Sequence, residues 1–157
     1  MSVEFEIEEY FKGEESTFYT IKLKGEAKSE TEKFFEEMAT IDIESTEFIA
    51  QRIEIMAEKT GCRDNFFKLK ESSFFNNLCA LSKGELRLYC LRYGNVAVVL
   101  GGGGIKPEGV ASYQEIPELD EDVKILEKAC ELIDERIKEK EIQINDNSLS
   151  GNFKFIN

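Results

Sequence analysis

"ELRLYCLRYGNVAVVLGGGGIKP", residues Glu85–Pro107, carries the decision about the fold. In its first half Leu86, Leu88, Cys90 and Arg92 alternate with Arg87, Tyr89 and Leu91, the period of a strand with two unlike faces. "YGN" (Tyr93–Asn95) is a short turn, and the β-branched run Val96–Leu100 is predicted to return antiparallel as a buried strand. Gly101–Gly104 follow. Glycine tolerates positive φ and lets a ligand or another backbone approach closely, so the run is either a turn that ends the strand or a loop that cradles phosphate. The phosphate-loop pattern, GxxxxGK followed by Ser or Thr, is broken by Ile105 before Lys106 and Pro107 after it. The dinucleotide pattern GxGxxG fails too, because its third glycine falls on Lys106. A strand-ending turn is the expectation.

Working outward, "VEFEIEEYF" and "TFYTIKLKG" each alternate with period two and flank "KGEES", which predicts an N-terminal hairpin. Ser29 stands three residues before Glu32, a capping box that opens a helix with Phe34, Phe35 and Met38 on its buried face. A second helix is expected from about Thr46 to Lys59, stopped by Gly61, so the two form a helical hairpin across "TIDIES". "FFKLKE" and "NNLCAL" are predicted as short strands and "PEGVASYQEIP" as a loop. After Pro117, Leu119, Val123, Leu126, Cys130, Ile133 and Ile137 recur at helical spacing. Acids crowd the first turn of this helix and lysines the last, as its dipole favours. The tail "EIQINDNSLSGNFKFIN" either adds a strand at "NFKFI" or stays mobile.

The chain has 157 residues, 41% of them apolar, and no internal repeat, which suits one domain with one substantial core. An acidic, alternating start excludes a secretory signal, and no apolar run approaches the roughly 20 residues of a membrane span. Cys62, Cys79, Cys90 and Cys130 show no CxxC spacing, and there is no histidine. They are therefore expected to be buried thiols of a reduced, cytoplasmic protein, with no metal site and no cofactor. Net charge is −12, yet its distribution is uneven. Cys62–Pro107 holds seven basic and three acidic side chains, net +4, against 13 basic and 29 acidic, net −16, elsewhere. Such a basic centre either forms a local anion site or pairs with acids of neighbouring helices.

The order of strand, helical hairpin, antiparallel strands and C-terminal helix resembles the RelE/ParE superfamily of bacterial toxins, in particular its HigB-like, phage-derived branch. The resemblance spans roughly residues 18–140 and is carried by "EKFFEEM", by "IMAEKTG" with "FFKLKES", and by the opening stretch, where "GGGGIKP" takes the place of a family segment with a histidine and paired lysines. It implies an α+β fold with a small antiparallel sheet: one RelE-like domain over residues 1–157. Residues 1–17 would then be an extra N-terminal strand and 141–157 a tail.

It also implies the toxin of a type II toxin–antitoxin pair, an endoribonuclease that cuts messenger RNA, often on the ribosome, by metal-independent attack of a ribose 2′-OH. The expected partners are a cognate helix-turn-helix antitoxin and messenger RNA, with no membrane. Arg87 matches the strand arginine that would clamp phosphate bidentately. Lys106 would be a second cation, and Tyr89 or another tyrosine, Tyr93 or Tyr113, would stack on a base or transfer a proton. The RNA-binding set is Lys68, Lys70, Arg92 and Tyr93. The acidic balance and the missing histidine depart from the family pattern. They keep open a non-catalytic protein-interaction module on the same fold, as in the ParE branch. An unrelated α+β domain whose glycine loop binds a phosphate-bearing ligand is the third reading.

Overall fold

The computed structural model describes residues 3–69, 71–72 and 74–156. β1 (Phe5–Lys12) and β2 (Thr17–Leu23) form the expected hairpin, followed by α1 (Glu30–Ala39) and α2 (Ile43–Ile55). Then come β3 (Leu78–Lys83), β4 (Leu86–Tyr93) and β5 (Ala97–Ile105), an antiparallel meander, and α3 (Pro117–Lys138). The tail contributes a small hairpin, β6 (Ile142–Ile144) and β7 (Leu149–Gly151), and a last strand, β8 (Lys154–Phe155). The main sheet runs β3-β4-β5-β2-β1-β8. The fold is α+β with a mostly antiparallel sheet. Its central pair departs from that pattern: β2 and β5 are parallel, Thr17–Thr20 against Ala97–Leu100. Parallel neighbours need a long crossover, and the helical hairpin with the meander supplies it.

Strand alternation then decides the layers. Leu86, Leu88 and Cys90 of β4 join Val98 and Leu100 beneath α1 and α2, which contribute Phe34, Met38, Ile49 and Ile53. Tyr89, Leu91 and Tyr93 face the other way, against the α3 stripe of Leu119, Val123, Leu126, Cys130 and Ile133. Each large side chain buried in these layers contributes about 1.5–3 kcal/mol.

Local signals account for the helix starts. In α1 both halves of the capping box form: the Glu32 N–H donates to Ser29 Oγ at 3.1 Å, and the Ser29 N–H to the Glu32 carboxylate at 3.4 Å. The second helix starts earlier than expected, because Asp42 caps it by accepting the Ser45 N–H at 3.1 Å. It ends in a π-helical turn, Met56–Thr60, before Gly61 at φ 75°. Carbonyls of this turn also serve the β1–β2 connection: the Ser16 hydroxyl donates to that of Met56, and the Glu15 and Ser16 N–H groups to that of Ala57.

Two expectations are corrected. Among the described residues "FFKLKE" forms no strand: the backbone of Lys68 exchanges two hydrogen bonds with Ala80, and further on the Glu71 N–H donates to the Leu78 carbonyl at 3.1 Å. The glycine run is no turn either, since β5 continues through all four glycines. A bulge sets Gly101 and Gly102 opposite Tyr89, between the pairs Leu88–Gly103 and Cys90–Leu100. Close packing explains the composition: a Cβ on Gly101 would stand 2.9 Å from Leu126, and one on Gly103 1.9 Å from the Arg87 carbonyl oxygen. In the tail, the strand alternative holds. β8 pairs antiparallel with β1, and the Phe155 ring stacks on Phe5 at 4.5 Å. Among the described residues no helix is long and apolar enough to cross a membrane.

Candidate functional site

The basic centre gathers at the end of the sheet where β3 turns into β4. One helical turn of α2 presents Phe48 and Arg52, the irregular segment before β3 returns with Asn65, Phe66 and Lys68, and the hairpin adds Ser82, Lys83 and Arg87. Together they line a cleft of about 420 Å³. Among the described residues that line it, four are cations, Arg52, Lys68, Lys83 and Arg87, and none is a carboxylate. Among the described residues none of the four forms an ion pair.

Aromatic rings hold the cations in place. The Arg52 guanidinium carbon lies 5.0 Å from the Phe48 ring centre and 4.9 Å from that of Phe66. Lys83 Nζ stands 4.5 Å from Phe48. Each such contact contributes about 0.5–1 kcal/mol at an exposed site, and it leaves the N–H donors in the guanidinium plane available to an anion. Arg87 is tethered by backbone instead: one Nη donates to the Gly84 carbonyl at 2.6 Å and to that of Leu86 at 3.0 Å. Its Nε is buried and has no hydrogen-bond partner among the described residues.

Lys106 lies next door. A second cleft, of about 360 Å³, is lined by Gly84, Glu85, Arg87, Lys106 and the loop from Pro107 to Val110, so Arg87 forms part of both walls, and here two carboxylates, Glu85 and Glu108, join the cations. Arg87, Lys68 and Lys106 therefore gather, as two adjoining clefts that share Arg87 and Gly84. Lys70 falls outside the described residues.

The remaining expected residues lie elsewhere. Tyr89 is wholly buried beneath α3, its hydroxyl has no hydrogen-bond partner among the described residues, and its ring meets Tyr113 edge-on at 5.9 Å. Burial pushes its phenol well above the usual range. Tyr93 is in the same layer, and burial raises its phenol likewise. Neither ring is placed to stack on a base, because the alternation that turns Leu88 and Cys90 toward α2 turns these tyrosines toward α3. Arg92 serves the chain itself: Nε donates to the Cys62 carbonyl and Nη2 to Asn95 Oδ1, both at 2.6 Å.

Phe48, Arg52, Phe66 and Lys83 were not singled out as site residues from sequence. Phe48 and Arg52 are visible there as a helical i, i+4 pair, but nothing local shows that residues 64–68 and 83 fold back onto it. The four cysteines are buried free thiols, with Cys79 and Cys90 sulfurs 3.6 Å apart across β3 and β4. Among the described residues no group of three Cys, Asp or Glu is placed to hold a metal ion. Set against models of protein families, curated proteins and solved structures, the chain matches none of them.

Proposed function

We propose that the cleft binds the sugar–phosphate backbone of single-stranded RNA and that the protein acts as the RNA-cleaving toxin of a bacterial type II toxin–antitoxin pair. One observation carries the reading. A chain of net charge −12 turns four cations and two phenylalanine rings into one cleft without a lining carboxylate. Phosphate is the ligand class that such a cation set attracts, and the Phe48 and Phe66 rings hold two of the cations, Arg52 and Lys83, in the cleft.

In the proposed reaction the 2′-oxygen bonds to phosphorus while the bond to the 5′-oxygen breaks, and charge builds on the phosphate oxygens. Arg52 clamps those oxygens through its planar donor fork, and Arg87, one Nη of which is held by backbone carbonyls, adds its other Nη. Lys68 and Lys83 add positive charge and carry protons for the leaving 5′-oxygen. No histidine, carboxylate or tyrosine lines the cleft, so the proton of the attacking hydroxyl passes to solvent. Positioning and electrostatics then supply the acceleration. That same lack of an acid/base residue favours the second reading, a module on this fold that binds without cleaving.

The test is induction of the protein alone in bacterial cells with mapping of RNA ends, alongside anisotropy titration of a labelled single-stranded RNA. The toxin reading expects growth arrest, new ends carrying 5′-hydroxyls, and loss of both in Arg87→Ala. Arg87→Lys restores them in part, because an ammonium keeps the charge but not the backbone tethers that hold the guanidinium in place. RNA affinity should fall with salt, at a logarithmic slope of about −2 to −3 for three or four phosphate contacts. Binding without new ends, with or without ribosomes, leaves the non-catalytic module. Absence of binding at low salt removes the RNA reading altogether.

A further inference from the structure

A second groove lies on the far side of β5. β2 and β5 pair only from Thr17–Thr20 to Ala97–Leu100 and then part. Thr31 of α1 fills the fork: its hydroxyl donates to the Gly101 carbonyl at 3.1 Å and shares a 2.6 Å hydrogen bond with that of Thr20. Beyond it β5 continues to Ile105, paired with β4 on one side and with no strand on the other. α1 and the first turns of α3 wall this edge into a groove of about 550 Å³, in which Gly103 and Ile105 are partly exposed and Gly102 and Gly104 are buried.

The lining combines apolar side chains, among them Phe34, Met38, Ile41 and Ile116, with six carboxylates: Glu26, Glu30, Glu37, Glu118, Glu121 and Asp122. Among the described residues that line it the only cation is Lys33, which is already paired with Glu26 at 2.8 Å and with Glu30. Glu37, Glu118, Glu121 and Asp122 have no ion pair among the described residues. A metal ion does not answer this excess, since no three carboxylates converge there.

An unpaired strand edge offers backbone donors and acceptors at strand spacing, the usual template for an added strand. Successive side chains of such a strand would point alternately toward α1 and toward α3, and both walls carry carboxylates beside apolar carbon. We propose that this groove takes an extended segment of a partner protein, rich in lysine or arginine and interleaved with apolar residues, as an added strand against Gly102–Ile105. Four residues of edge span about 13 Å, so the recognised core is four to six residues long. Charge complementarity selects the segment, and the backbone edge sets its register. Nothing in this assignment rests on the RNA reading, whose cleft lies beyond β4 at the β3–β4 turn.

The test uses the full chain and a labelled eight-residue peptide that alternates Lys and Val. Controls replace each Lys by Glu, or place Pro at two central positions. Anisotropy should report saturable binding of the Lys peptide that weakens with salt, no binding of the Glu peptide, and at least a tenfold loss with Pro, which cannot donate to the edge. Hydrogen exchange should slow at residues 102–105 when the Lys peptide is present. The double variant Glu118→Gln/Glu121→Gln, both exposed, should lose at least tenfold in peptide affinity while its fold, read by circular dichroism, and its RNA affinity hold. Equal binding of the Lys and Pro peptides, unchanged exchange at 102–105, or undiminished binding by the double variant would overturn the proposal. A concentration-dependent dimer that protects 102–105 without peptide would overturn it as well, by making a second copy the occupant.

Discussion

Gly103 lies so close to Arg87 on the neighbouring strand that a Cβ on it would stand 1.9 Å from the Arg87 carbonyl oxygen. The residue that shapes the bulged strand therefore also sets the backbone from which the cleft arginine projects. Gly103→Ala should destabilise the fold by roughly 2–4 kcal/mol, since backbone and not a flexible side chain must move. The urea midpoint measures this. A midpoint equal to wild type would mean that β5 does not run through the glycines as described.

Asp122 gives the protein a pH dependence of stability. Burial, followed by the nearby Glu30 and Glu121 carboxylates, pushes its carboxyl up to about 7, while Lys33 opposes the shift. Between about pH 4 and pH 7 the folded chain thus holds a proton that the unfolded chain releases, so stability falls as pH rises through that window. Asp122→Asn removes the liability. Thermal unfolding should show the variant more stable by roughly 1–3 kcal/mol at pH 8, with the gain vanishing toward pH 4.

Tyr19 fastens the tail. Its hydroxyl donates to the Leu149 carbonyl at 3.0 Å and accepts the Leu149 N–H at 2.9 Å. Tyr19→Phe leaves both backbone groups unpaired in a buried place, at a cost of about 1–3 kcal/mol. Faster hydrogen exchange across β6, β7 and β8, with little change in β3–β5, is the expected signature.

The thiols should be silent in the folded state. Burial pushes Cys62 up to about 11 and Cys130 up to about 12, and raises Cys90 well above the usual range. At pH 8 a thiol-reactive dye should label no cysteine on mixing with native protein and all four after unfolding in guanidinium. Rapid labelling of a native thiol would contradict the placement of that cysteine in the core.

The helix signals were legible because they are local. The Ser29–Glu32 capping box and the α3 stripe lie within a few residues of chain, where fixed helical geometry turns spacing directly into facing. The alternation of β4 was legible for the same reason, and with it the division of Leu88 from Tyr89. The glycine run was ambiguous, because glycine answers equally to a turn and to close approach. Leu126 of α3 and the backbone of Arg87, brought against it only by folding, decided for approach. Sequence also showed that the basic residues concentrate between Cys62 and Pro107. Which of them share a cleft depended on long-range return of the chain, which sets Lys68, Lys83 and Arg87 beside Arg52 of α2 and sends Arg92 to bind the backbone at Cys62. The parallel pairing of β2 with β5 has the same origin: strands some eighty residues apart meet because each has a buried face to cover, and no local pattern records which neighbour will cover it.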